Sequence, residues 1–311
     1  MSQTPVIANK PLKGIALKVA SVVVFTAMAT CIKAASHAVP PGEAVFFRSF
    51  FAIPVILVWL IWQQDLKDGL KTRNLKGHMW RGFLGTCAMI LGFTSLAYLP
   101  LPEATAIGFA APIITVVLAA IFLGETIRIY RLGAVLVGLM GVLIILSPRL
   151  GLETSDLATI GAIAALGSAF LRAAALIFTR KLVVKENTAT IVFYFSSIAA
   201  VLGLFTIPFG WTIPPLKETI ILICSGLFGG VAQILLTNSY RYAAAGTIAP
   251  FDYTAMILSL IVGFFLFDEI PTLIVLAGAA LIIAAGIFII FRERNLGLKR
   301  GAARSVTPNQ G

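Results

Sequence analysis

Ten apolar stretches follow one another along the chain, each about as long as a membrane-crossing helix. They run over 14–35, 42–62, 79–98, 103–123, 129–147, 158–180, 189–209, 219–240, 245–267 and 272–291, with short links between them. A helix needs roughly 20 apolar residues to cross the hydrocarbon core. Within lipid the backbone must satisfy its own hydrogen bonds, so such stretches fold as helices. Of the 311 residues, 59% are hydrophobic and 12% charged. Soluble proteins run at about 45–50% apolar and about 25% charged. The fold class predicted is therefore all-α integral membrane, with ten transmembrane helices. Pro40-Pro41, Pro100 to Pro102, Pro148, Pro214-Pro215 and Pro271 punctuate the spans, because proline cannot continue a helix. Lys10 and Lys13 precede the first stretch as in a signal peptide. That stretch runs on to Ala35 and carries Lys18 and Lys33, so it reads as a retained span. Residues 296–311 read as a disordered, basic cytoplasmic tail.

The net charge of +11 would suggest nucleic acid for a soluble protein. Here the basic residues lie between apolar runs, and topology explains them. The outer links hold only Arg149 and Lys217, and five cations (Lys18, Lys33, Arg48, Arg81, Arg172) lie inside spans. The remaining 17 of the 24 fall in links and span ends on the other side. Positive residues mark the cytoplasmic face. An even number of spans, with both termini cytoplasmic, follows. The expected location is a bacterial inner membrane, and no nucleic-acid partner is expected. Cys31, Cys87 and Cys224 sit in apolar runs without metal-ligand or CxxC spacing, and there are only two histidines. No cofactor and no metal is expected. The oligomeric state stays open between monomer and homodimer.

An internal repeat joins the fourth and fifth spans to the ninth and tenth. Leu123-Gly124-Glu125 corresponds to Phe267-Asp268-Glu269, and Ser95 and Tyr98 to Ser239 and Tyr242. After one inserted residue, Gly133-Ala134 matches Gly278-Ala279, Leu136 matches Leu281 and Gly141 matches Gly286. The repeat contains five spans. Five is odd, so the second copy must face the opposite way, as in many secondary transporters. The expected domains are five-helix repeats at 14–147 and 158–291. Ala134 and Gly138, Gly226 and Gly230, and Ala280 and Ala284 form small-xxx-small pairs that let helices approach closely.

The Leu-Ala-Tyr-Leu-Pro-Leu-Pro-Glu-Ala stretch at 96–104, Pro112 in its helix, and Leu123-Gly124-Glu125 before a glycine-spaced helix complete the pattern. With the five-plus-five plan, the chain resembles the EamA branch of the drug/metabolite transporter superfamily. The resemblance covers nearly the whole chain, through diffuse motifs. It implies a secondary transporter of small metabolites working by alternating access. Similar proteins move amino acids, riboflavin, S-adenosylmethionine, metallophores or toxic compounds. The pattern is most similar to the alphaproteobacterial riboflavin-uptake members, so riboflavin uptake is the substrate expected. A channel or membrane receptor is the alternative class. No enzyme is expected: no HExxH occurs, and no GxxxxGK[ST] loop is present to bind nucleotide.

Candidate site residues are those where one half is polar and its counterpart is not, since polar groups in lipid are costly and mark pathways. Arg48 lies inside the second span, and its counterpart is Tyr194. A guanidinium there can bind a carboxylate or phosphate, donate to carbonyls of a planar heterocycle, hold a structural ion pair, or reach the interface. Asp252 follows Pro250 and precedes Tyr253 in the ninth span, opposite Gly108 in the repeat. It is a candidate for substrate or proton binding, or for an ion pair with Arg48 or Arg172. Gln233 and Asn238 correspond to Met89 and Thr94; they serve either a polar substrate or helix-to-helix hydrogen bonding. Arg172, Tyr194 and Tyr253 complete the candidate set. Trp80 and Tyr240 read as interfacial aromatics. Glu103, Glu125, Asp268 and Glu269, at span ends, read as loop or capping residues.

Overall fold

The computed structural model describes residues 10–62, 70–123, 129–147, 156–183, 185–243 and 248–305. Every regular element among them is helical: α1 (Pro11–Ala35), α2 (Pro41–Phe50), α3 (Ala52–Trp62), α4 (Leu75–Tyr98), α5 (Leu101–Gly108), α6 (Ala110–Leu123), α7 (Ile129–Leu146), α8 (Asp156–Val183), α9 (Thr188–Leu204) and α10 (Leu216–Tyr242). A 3₁₀ turn at Ala249–Tyr253 then leads into α11 (Thr254–Phe267), and α12 (Leu273–Ser305) closes the sequence. By length and apolarity, α1, α2 with α3, α8 and α10 each suffice to cross a membrane, and shorter apolar helices accompany them. The surface carries large apolar side chains such as Ile213, Leu273 and Phe265, whereas Lys18, Arg48 and Arg81 lie inside. This reverses the pattern of a soluble protein. The predicted tail is helical as far as Ser305: no proline intervenes, and its alanines, lysine and arginines favour helix.

Two helix breaks trace to single prolines. Proline removes its own N–H and clashes with the carbonyl four residues earlier. Pro54 acts on Phe50, where α2 stops, and Pro112 acts on Gly108, where α5 stops. Pro250 sits in the 3₁₀ turn that carries Asp252. α11 ends on Asp268 in the left-handed region (φ 53°), and the Glu269 N–H donates to the Gly263 carbonyl at 2.9 Å. That left-handed closure ends the helix, and it turns the Glu269 side chain back toward the bundle.

The helices of the first half pack chiefly on helices of the second. α1 runs along α10, α4 along α8, α7 along α12, and α2 against α9. Close crossings depend on glycine. A Cβ at Gly141 would lie 2.8 Å from the Gly278 carbonyl oxygen, and one at Gly278 would lie 2.7 Å from that of Gly141. Gly226 and Gly230 let α10 lie against the backbone of α2 and α3, as their spacing predicts. Ala280 and Ala284 face outward instead. α12 packs inward through Gly278, Ile282 and Ala285.

Candidate functional site

Between the two halves lies a cavity of about 710 Å³. α1, α4, α8 and α10 wall it, and α5, the 3₁₀ turn and α11 contribute at the sides. The lining of each main helix is one helical stripe. Lys18, Val22, Phe25 and Ala29 line it from α1, and Gln233, Thr237 and Tyr240 from α10. These spacings of three and four place residues on one helix face.

Most of the lining is apolar, but four cations and one carboxylate stand in it: Lys18, Arg48, Arg81, Arg172 and Asp252. The Lys18 ammonium meets the Asp252 carboxylate at 2.7 Å. The pair is asymmetric: the Lys18 side chain is 4% exposed and that of Asp252 38%. The ion-pair partner of Asp252 is therefore Lys18, not Arg48 or Arg172 as the sequence suggests. A guanidinium Nη2 of Arg172 donates to Ser168 Oγ at 3.2 Å, and its side chain is open to the cavity. Arg48 is 1% exposed and Arg81 5%. Arg81 Nε donates to Thr179 Oγ1 at 2.9 Å, while among the described residues Arg48 reaches only the Gly229 carbonyl, at 3.5 Å.

Five of the seven residues selected from sequence line this cavity: Arg48, Arg172, Gln233, Asp252 and Tyr253. Gln233 Nε2 contacts Thr237 Oγ1 at 3.4 Å, one turn along the same helix. Tyr253 is seated against Gly286, whose missing side chain makes room for the phenol. The other two lie elsewhere. Asn238 accepts from Thr188 Oγ1 at 3.1 Å, joining α10 to α9, because it lies one residue past the lining stripe. Tyr194 packs on His78 at 4.8 Å between ring centres, one position before Phe195, which does line the cavity. Lys18, Arg81 and Tyr240, none of them among the candidates read from sequence, line it too. Lys18 and Arg81 lie close to span ends, where long cations ordinarily reach the interface. Their signal was the helical stripe they share with small and polar residues.

One end of the cavity is closed by packing and by a polar lock. Ile32, Ala35, Val39, Val45, Leu99 and Leu101 are buried together there. Lys33 pairs with Glu269 at 2.8 Å and donates to the Leu99 carbonyl at 2.7 Å. The second Glu269 oxygen accepts the Leu101 N–H at 2.7 Å. Glu269 thus caps the first turn of α5 across the two halves, where a carboxylate is favourable. The capping role expected for it holds, on a helix distant in sequence. Glu125 lies outside the described residues. At the opposite end, Lys10 N donates to the Tyr242 carbonyl at 3.1 Å, and Glu186 accepts from Thr72 and from the Arg73 N–H.

Comparison with known proteins places this architecture. A crystal structure aligns with a TM-score of 0.68 at 19% identity, covering 93% of this chain and 98% of its own, which establishes the fold alone. An S-adenosylmethionine uptake transporter of Rickettsia bellii is 32% identical, covering 81% of this chain and 84% of the relative. A pseudopaline exporter of Pseudomonas aeruginosa is 30% identical over 88% of this chain and 94% of that protein. The EamA-like transporter family matches residues 12–147 and again 159–292. This multi-pass membrane protein belongs to the EamA-like transporter family of the drug/metabolite transporter superfamily.

Proposed function

We propose that the protein is a secondary transporter that carries a small polar metabolite through the central cavity by alternating access. The observation that carries this is a cavity of about 710 Å³ lined from both halves, with four cations and one carboxylate in its wall. A cavity of this size takes a small organic molecule. Ten spans in two inverted five-helix repeats, 14–147 and 158–291, give such a cavity two equivalent ends. The pairings support this: α1 on α10 and α8 on α4 are exchanged by a twofold relation, while α2 on α9 and α7 on α12 map onto themselves. The double family match supports the same division. The charge bias supports cytoplasmic termini in a bacterial inner membrane. In that orientation the closed end, with Lys33 and Glu269, faces outward.

S-adenosylmethionine is the first substrate to test, because a relative 32% identical carries that name. A metallophore of the pseudopaline kind is the second, from a relative at 30%. Neither the relatives nor the cavity charge selects riboflavin. Purified protein in liposomes is expected to take up labelled S-adenosylmethionine saturably, and preloaded unlabelled substrate should accelerate entry. Absence of flux for this compound, for metallophores and for a broad metabolite panel, with folded protein in the liposomes, would count against transport. Single-channel conductance would favour a channel instead.

A further inference from the structure

Arg48 and Arg81 are both buried, and both guanidinium groups lie against the Phe195 ring, at 5.4 and 4.1 Å from its centre. Arg48 Nε and Nη1 and Arg81 Nη1 have no hydrogen-bond partner among the described residues. The single salt-bridged acid in the lining, Asp252, is held by Lys18. A buried cation without a counter-charge is costly, and two side by side cost more. A structure that keeps both has a use for an anionic partner.

The surroundings are built for the pair. A Cβ at Gly229 would fall 2.8 Å from Arg48 Nε, so glycine there lets the Arg48 side chain lie against α10. A Cβ at Gly85 would fall 2.6 Å from the Phe195 ring, so glycine there makes room for the ring against which both guanidiniums lie. Thr179 fixes Arg81 through its Nε and leaves Nη1 free. Guanidinium forks match the paired oxygens of carboxylate and phosphate.

Resting on the transport reading, we infer that Arg48, Phe195 and Arg81 form an oxyanion clamp in the cavity, which binds the carboxylate or phosphate group of the transported molecule. The substrate class is thus a small organic anion or a zwitterion. In a zwitterion the cationic end can meet the exposed side of the Asp252 carboxylate, whose other side Lys18 holds. Phe195 lies against both guanidiniums and lines the cavity, so it offers an apolar surface beside the anionic group.

The test uses the full-length protein in detergent, with succinate, inorganic phosphate and neutral succinamide as probes at constant ionic strength set with chloride. Binding is read by calorimetry and by thermal stabilisation. Succinate, phosphate or both are expected to bind and succinamide not to; which of the two binds tells carboxylate from phosphate. Arg48→Gln and Arg81→Gln should each weaken binding about tenfold or more, the effect of losing a charged hydrogen bond. Arg48→Lys and Arg81→Lys keep the charge without the fork and should fall in between. No preference for either oxyanion over succinamide overturns the clamp, and this comparison needs no variant to fold. Unchanged oxyanion binding in both glutamine variants overturns it as well. Transport is judged separately: saturable flux of a neutral metabolite that both variants leave intact would keep the transporter and remove the clamp. Oxyanion binding lost in the variants, but without any flux, would keep the clamp and remove the transporter.

Discussion

The Lys18–Asp252 pair shows how much a residue's weight depends on which partner is buried. Removing one member of a buried pair leaves the other charge uncompensated. Lys18 is 4% exposed, so Asp252→Asn strands a cation in the interior and should cost about 3 kcal/mol. Asp252 is 38% exposed, and Lys18→Met leaves it against cavity water, at a cost below about 1 kcal/mol. Thermal unfolding in detergent should therefore show a large drop for Asp252→Asn and a small one for Lys18→Met. The double variant should recover most of the loss. Equal losses in the two single variants would show that the pair is not held this way. Asp252 was legible in the sequence as a carboxylate deep in an apolar span. Its partner was not, because a lysine five residues from a span end has an ordinary interfacial explanation. Asn238 and Tyr194 failed for a geometric reason: each lies one residue from a lining position, and one residue turns a side chain by about 100° around the helix.

At the scale of the element, two prolines break spans that read as continuous in the sequence, 42–62 and 103–123. Pro54 and Pro112 place helix breaks four residues before themselves, at Phe50 and Gly108. Small-residue spacing located helix crossings but not their faces. Gly226 and Gly230 touch a neighbouring backbone, whereas Ala280 and Ala284 are exposed. Spacing alone does not tell a packed stripe from a lipid-facing one when both are apolar. The crossing of α7 and α12 gives a direct check. Gly141→Leu inserts a side chain where the Gly278 carbonyl stands 2.8 Å from the first carbon. The expected cost is about 1–3 kcal/mol or more, read as a lower unfolding temperature. Ala280→Leu on the exposed face of the same helix pair should change stability by less than about 0.5 kcal/mol. A Gly141→Leu protein as stable as the parent would mean that the two helices do not meet there.

For the whole molecule, the double family match and a lining drawn from both matched segments set two halves around one cavity. Composition could not reveal that the cavity has a closed end, since the closure joins Lys33, Leu99, Leu101 and Glu269 from three distant segments. Glu269 holds the ion pair and caps α5 at once, so its loss should release that end. The deciding measurement is the side from which a cavity residue is reached. In a protein whose Cys31, Cys87 and Cys224 are replaced by serine, Met89→Cys places one thiol in the cavity wall. A membrane-impermeant maleimide is applied to right-side-out and inside-out vesicles, with Glu269 intact and with Glu269→Ala. Alternating access predicts labelling from the cytoplasmic side alone in the first protein, and a shift toward the outer side in the second. Labelling from both sides at once with Glu269 intact, or from one unchanged side in both proteins, would contradict it.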